Sequence, residues 1–523
     1  MWDAPLTAGD MRAKCRTMNP NIVAALATLA LSLSACQTVQ AQGTPAAPQT
    51  ETEPTPVPIE PQVRTSDFTG TFGGQQVAYT TTIRENILEA DDGTQEAVIV
   101  TTSYVANPRD TARPVFFIYN GGPGSGSVWL QMGAFGPKRV AIPGDARDDG
   151  APPYPLLDNP DSLLDVADLV FIDPPGTGFS YLTEGTDPKK YYGLEADAKA
   201  VATVIRRWLN DNGRWNSSKF LGGESYGTTR TAMVVRELEG ATYNDVGLNG
   251  LILISTILDF AGREPAPGNE MAYIVTLPNM ATAAFYHDKV QAESVESIAE
   301  EARQFAIGPY ATALLKGQDL PAAERATVRA ELSRLTGLSE TYLDQADLRV
   351  TAPRFYKELL RDRGQTIGRL DSRYTGRDYD SAGETPDNDP SFYGIDAGYT
   401  AAINSWSRET LGFETDREYQ SIGREPGQNW DWSLSGGGRG AYLNVAQFIG
   451  QAMRENADLR TFVAQGYYDF ATPFFGAEYS LNRTGFPQDR IEWHYYDAGH
   501  MMYVRAEDRA KLSRDIRDFI RAR

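Results

Sequence analysis

KFLGGESYGTTRTAMVVREL, running from Lys219 to Leu238, is the stretch whose reading decides the fold. The apolar pair Phe220-Leu221 leads into Gly223-Glu224-Ser225-Tyr226-Gly227, and Met233, Val234, Val235 and Leu238 follow at helical spacing. That reads as strand, sharp turn, helix. Small residues around the serine let the backbone turn tightly enough to lift its Oγ off the end of a sheet, as in a nucleophile elbow. Taken alone, the pattern is also that of a glycine-rich turn capping a helix, with the hydroxyl holding a backbone N–H. The rest of the chain has to choose between the two.

Outward from the elbow, Arg113-Pro114-Val115-Phe116-Phe117-Ile118-Tyr119 and Leu169-Val170-Phe171-Ile172-Asp173 read as continuous apolar runs, as expected of strands buried on both faces. A helix is predicted over Ala196 to Leu209, and another strand over Leu251 to Ile254. This alternation implies an α/β fold with a mostly parallel sheet and helices on both faces. Between Thr69 and Val105, alternating runs such as Gln76-Val77-Ala78-Tyr79-Thr80 suggest antiparallel edge strands. The rhythm stops after Asp259. Residues 261–430 read as helices and loops, with helical pieces over Ala292–Phe305, Ala322–Leu335 and Phe355–Leu360, and imply an inserted, mainly helical cap over the C-terminal edge of the sheet. Residues 431–523 resume the core, with a helix over Tyr442–Met453, strands over Thr461–Gly466 and Arg490–Tyr496, and a last helix near Arg509–Ile520. The core is thus split into 66–260 and 431–523.

The first residues carry a different message. Arg12, Lys14 and Arg16 precede an apolar run, Ile22 to Leu33, that is too short to span a bilayer comfortably. Together they read as an export signal, and the residues before Met11 as an upstream misassigned start. Leu33-Ser34-Ala35-Cys36 looks like a bacterial lipobox, making 1–36 a lipoprotein-type signal segment with Cys36 lipidated after cleavage. Gln37 rather than aspartate follows, which points to the outer membrane. The competing reading is cleavage after Val39-Gln40-Ala41 and a soluble periplasmic or secreted protein. Residues 37–65 are rich in Pro, Thr, Gln and Glu and read as an extended tether.

The net charge of -20 argues against nucleic acid or anionic lipid as a main partner. The only two cysteines, Cys15 and Cys36, precede the folded part, so that part holds neither an intrachain disulfide nor a thiolate metal site.

A serine hydroxyl is a poor nucleophile until a base takes its proton. The chain offers three histidines. His287 lies in the cap stretch AAFYHDKV and reads as a surface or packing residue, and His494 sits within the strand IEWHYY. His500 follows Asp497-Ala498-Gly499 in the loop after that strand, at the edge where function gathers in such sheets. The third member is a carboxylate that fixes the imidazole tautomer. Asp469 closes the run FVAQGYYD, and the chain order Ser225, Asp469, His500 suits this class of sheet; Asp497 is its rival. Negative charge on a reacting carbonyl oxygen needs donors. The elbow supplies the N–H of Tyr226, and the loop Asn120-Gly121-Gly122-Pro123-Gly124 is the source of a second. A phosphate-binding role for that loop is disfavoured, since it has no lysine and no G-x-x-x-x-G-K-[ST] pattern.

Five ordered motifs now stand together: NGGPGSGS at Asn120–Ser127, FIDPPGTGFSY at Phe171–Tyr181, GESYG at Gly223–Gly227, GYYDFATP at Gly466–Pro473 and AGHMM at Ala498–Met502. In these the chain resembles the serine carboxypeptidases, the S10 peptidases of the α/β-hydrolase superfamily. The resemblance implies Ser225, Asp469 and His500 as catalytic triad, and the N–H groups of Gly122 and Tyr226 as oxyanion hole. It also implies Asn120 and Glu224 as the residues that hold the terminal carboxylate of a peptide, with no metal or organic cofactor. The expected activity is hydrolysis of the C-terminal peptide bond of substrates with a free C-terminus. An esterase, amidase or acyltransferase on small acyl substrates is the alternative, and a non-catalytic envelope protein is a third reading. Three features depart from the family. Ala134-Phe135-Gly136-Pro137 stands where the family has a glutamate before Leu-Gly-Pro, the bracing disulfides of secreted eukaryotic members are missing, and the proline that often follows Gly-His-Met-Val is absent. Trp129, Tyr310, Phe355 and Trp432 are candidates for a pocket wall, with core packing as the default.

Overall fold

The computed structural model describes residues 58–240, 245–263, 265–435, 442–483 and 485–522. The signal segment and Cys36 lie outside them. A ten-stranded sheet organises these residues. Across it run Val63–Phe72, Gln75–Glu89, Gln95–Asn107, Asp168–Ile172, Val115–Tyr119, Lys219–Glu224, Gly250–Ile254, Arg460–Gly466 and Ile491–Tyr496, with the short Tyr181–Leu182 beside Gln95–Asn107. The first three strands are antiparallel, and from Asp168–Ile172 to Ile491–Tyr496 every pairing is parallel. This is an α/β-hydrolase architecture. Its first strand begins at Val63, paired with Arg84, so the folded body takes in the last residues of the stretch expected as tether.

The apolar strands are buried on both faces because each feeds two cores. Phe116, Ile118, Ile252, Ile254, Phe462 and Ala464 point to one side, where Leu512, Ile516 and Phe519 of the helix Ala506–Arg521 meet them. Val115, Phe117, Tyr119, Leu251, Leu253 and Val463 point to the other, against the helices Leu194–Asn212, Tyr226–Glu239 and Ala446–Glu455. The period of two along each strand makes this division. Leu194–Asn212 stops where Gly213 takes a left-handed conformation, φ 62° and ψ 37°, which glycine adopts at little cost.

Residues 261–430 add no strand to the large sheet among the described residues. They do not form one layer. The first half, from Met271–Tyr286 through Ala352–Glu358, builds its own core, with Ser294 and Ser297 closing a reciprocal cap at the start of Val295–Phe305. The second half turns back to the sheet. Tyr399, Trp406, Phe413 and Tyr419 enter the core on the Ala506–Arg521 side, and the Trp406 indole N–H donates to Tyr104 Oη at 2.9 Å. Its aromatic density gives it more surface to bury than a lid can hide.

Candidate active site

Ser225 sits between the strand Lys219–Glu224 and the helix Tyr226–Glu239, with φ 63° and ψ −131°. A non-glycine residue rarely takes positive φ, and the strain is held by the packing around it. A Cβ on Gly223 would lie 2.1 Å from the Gly227 carbonyl oxygen, so no side chain fits inside the turn. The Ser225 N–H donates to the Ile254 carbonyl at 3.0 Å, pinning the elbow to the next strand.

The Asn120–Gly124 loop lies directly against the elbow. A Cβ on Gly121 would meet the Tyr226 and Gly227 nitrogens at 2.6 Å. Gly122, at φ 102°, turns the chain in a conformation that disfavours side chains. Arg230, one turn into the elbow helix, donates to the Asn120 carbonyl and pairs with Asp197 at 2.6 Å. This buried ion pair joins loop and helix. Tyr226 is held edge-on by Trp430 and Trp432, at 5.3 and 5.7 Å, with the Arg230 guanidinium 5.2 Å from its ring centroid.

Asp469 and His500 come together at the C-terminal ends of the two last strands. His500 Nδ1 is 2.7 Å from Asp469 Oδ2. The carboxylate is fully buried and saturated: Oδ1 accepts from the N–H groups of Ala471 at 2.8 Å and Thr472 at 3.0 Å, and Oδ2 accepts from Thr472 Oγ at 2.6 Å. Burial disfavours the imidazolium, but the charge and hydrogen bond of Asp469 outweigh it, and the His500 pKa is raised. Backbone contacts fix the His500 loop. Its N–H donates to the Leu370 carbonyl at 2.6 Å, and its carbonyl accepts from Ser255 Oγ at 2.6 Å. Asn279 Nδ2 donates to the Asp469 carbonyl at 2.8 Å. Among the described residues no hydrogen bond joins the Ser225 hydroxyl to His500; such contacts are often longer before substrate binds.

One residue before the serine, Glu224 is buried, and its Oε1 accepts from Asn120 Nδ2 at 2.9 Å. Burial drives its pKa up to about 7, further than the nearby His500 charge and the hydrogen bonds pull it down. Asn120 Oδ1 accepts from the Leu130 N–H at 3.1 Å, which orients the amide so that its donors face the carboxyl.

The other candidates fall elsewhere. Asp497 is half-exposed and faces Arg505, not His500. His287 is buried and donates from Nε2 to the Ser372 carbonyl at 2.6 Å. His494 stacks on Phe462 at 4.3 Å with Asp515 3.2 Å from its Nδ1. Trp129, Tyr310 and Phe355 are core residues, whereas Trp432 is exposed along one side. Thr472, Asn279 and Tyr503 escaped the sequence reading. A lone threonine carries no periodic signal, although the Ala471-Thr472-Pro473 turn after an aspartate hints at a carboxylate-binding bend.

The fold and this constellation define a serine hydrolase scaffold of the α/β-hydrolase class. A family model described as serine carboxypeptidase matches residues 102–328. The solved structure of Kex1, a prohormone-processing carboxypeptidase from Saccharomyces cerevisiae, is similar over 84% of this chain and 91% of its own, at 14% identity and a TM-score of 0.51. At that identity the likeness concerns the fold. An epoxide hydrolase from Aspergillus niger is similar over 84% of this chain and 78% of its own, at 12% identity and a TM-score of 0.31. No curated protein matches the sequence.

Proposed function

We propose that the protein removes the C-terminal residue of peptides through an acyl-enzyme on Ser225. Ser225 Oγ attacks the last peptide carbonyl while His500 Nε2 takes its proton. Asp469 holds the His500 Nδ1–H and stabilises the imidazolium. The N–H groups of Gly122 and Tyr226 receive the oxyanion. His500 then protonates the leaving amine, and the terminal amino acid departs. Water, deprotonated by His500, attacks the ester and releases the shortened peptide. Asn120 and protonated Glu224 hold the substrate's terminal carboxylate, and residues 261–430 act as the cap that shapes the pocket.

The observation that carries the reading is the Asn120–Glu224 pair. A buried carboxyl beside the nucleophile, with its pKa raised to about 7, can donate to an anionic carboxylate, whereas an ionised one repels it. The test compares a peptide with its C-terminally amidated twin. The free acid is expected to be hydrolysed at least about tenfold faster at pH 6, since charge-assisted hydrogen bonds are worth that much. Equal rates contradict the proposal. They favour instead an esterase, amidase or acyltransferase, a reading supported by Ala134, which puts a methyl group where the resemblance expects an acid.

The location rests on sequence alone. Arg12 to Cys36 supports an exported bacterial envelope protein, anchored through a lipidated Cys36, with secretion as the alternative. Among the described residues no helix is long and apolar enough to cross a membrane. Globomycin-sensitive processing together with a mass shift on Cys36 tests the anchor.

A further inference from the structure

At Glu224, one residue from the nucleophile, two buried polar atoms are left without a well-formed hydrogen bond. Glu224 Oε2 and Tyr503 Oη are both without a hydrogen-bond partner among the described residues. They face each other. The Tyr503 hydroxyl lies against the Glu224 carboxyl and the Asn120 amide, yet closes a hydrogen bond of ordinary geometry with neither. Glu224 is 3%, Asn120 1% and Tyr503 1% exposed, so water does not serve any of them freely. Orphaned donors and acceptors are rare inside proteins, and a cluster of them around one point calls for a group that satisfies them together.

Chain chemistry explains how the ring arrives there. Residues Leu130–Phe135 form a buried wide helical turn containing Gly133 and Ala134, and it packs against the turn Met502–Val504 that follows His500. A Cβ on Gly133 would lie 2.7 Å from Tyr503 Cε2 and 2.4 Å from the Tyr399 hydroxyl. The missing side chain at Gly133 leaves the space that the Tyr503 ring fills. The ring is fixed in the core, and its one polar atom points at Glu224.

We propose that the Tyr503 hydroxyl is a specificity-determining donor that binds the terminal carboxylate of the peptide together with Asn120 and Glu224. This rests on the carboxypeptidase reading above. A carboxylate oxygen of the substrate accepts from Tyr503 Oη and from protonated Glu224, which supplies the well-formed bond that neither makes within the protein. A tyrosine suits the task because its O–H remains a donor at every pH at which the enzyme works. No bond is made or broken by it.

The test is Tyr503→Phe, which deletes one oxygen and keeps the ring. Because the deleted hydroxyl closes no hydrogen bond of ordinary geometry, the variant is expected to fold with little loss of thermal stability. On a free-acid peptide kcat/KM is expected to fall at least about tenfold, chiefly through KM, while the amidated twin is cleaved as before. Labelling of Ser225 by a fluorophosphonate is expected to proceed at the unaltered rate. A free-acid kcat/KM within about twofold of the unaltered enzyme overturns the assignment, and so does an equal loss on both peptides, which marks a structural role. Gly133→Ala gives a second reading, since it pushes the ring aside, and it is expected to erode free-acid preference in the same direction. An unaltered enzyme indifferent to amidation sinks the carboxypeptidase reading itself, and with it this one; a preference that survives Tyr503→Phe sinks only the role of Tyr503.

Discussion

The two buried carboxyl groups of the candidate site, Asp469 and Glu224, are held by opposite rules. On the Asp469–His500 side every carboxylate oxygen has its partners: four hydrogen bonds, from Ala471, Thr472 twice and His500, saturate one buried group. On the Glu224–Tyr503 side, equally buried, two polar atoms have none. The first side does the same work whatever the substrate, so it profits from complete organisation beforehand. In the proposal above, the second receives a group that arrives with the substrate, and its bonds stay open until then. Burial drives the Glu224 carboxyl toward its neutral form.

The largest expected effect breaks the saturated side. Asp469→Asn keeps the shape but replaces the acceptor that selects the Nδ1–H tautomer, so kcat is expected to fall by about a thousandfold or more on free-acid and amidated peptides alike. Steady-state kinetics on both substrates check it. A loss confined to free-acid peptides contradicts the division of labour.

A smaller effect sharpens the open side. In the proposed function, protonated Glu224 donates to the substrate carboxylate, and burial raises its pKa to about 7. The sign is therefore fixed: below that pH the donor is present, and above it the site carries a negative charge against a negative ligand. KM for a free-acid peptide is expected to rise about fivefold between pH 7 and 8 and up to about tenfold per unit above that, and KM for the amidated peptide to stay level. Glu224→Gln, neutral at every pH, is expected to flatten the rise. A KM profile unchanged by this substitution removes Glu224 from carboxylate binding.

The same contrast explains what could be read from the sequence. The sheet was legible because strands buried on both faces are continuous apolar runs, and the loops of Ser225, Asp469 and His500 because each interrupts such a run at its C-terminal end. The antiparallel edge was legible from alternation, visible as the burial of Tyr79, Thr81 and Ile83 at every second position in Gln75–Glu89. The helix Met271–Tyr286 was not. It is buried nearly all round and contains Pro278, so it shows neither an amphipathic stripe nor an uninterrupted helical composition, although its Asn279 and Thr282 brace the Asp469 loop. Nor could one line of sequence tell that residues 396–419 leave the cap for the main core, since that depends on which aromatic surface they meet. Tyr503 and Gly133 lie some 370 positions apart, and their contact exists only once the sheet has brought the two turns together.

The central claim is that Ser225 carries the acyl group of the substrate. Rapid quenching during turnover of a free-acid peptide, followed by digestion and mass spectrometry, tests it most directly. The account predicts an adduct on the fragment containing Ser225, equal in mass to the substrate acyl group without its last residue, absent in Ser225→Ala. Full turnover by Ser225→Ala, or an acyl adduct on another side chain, contradicts it.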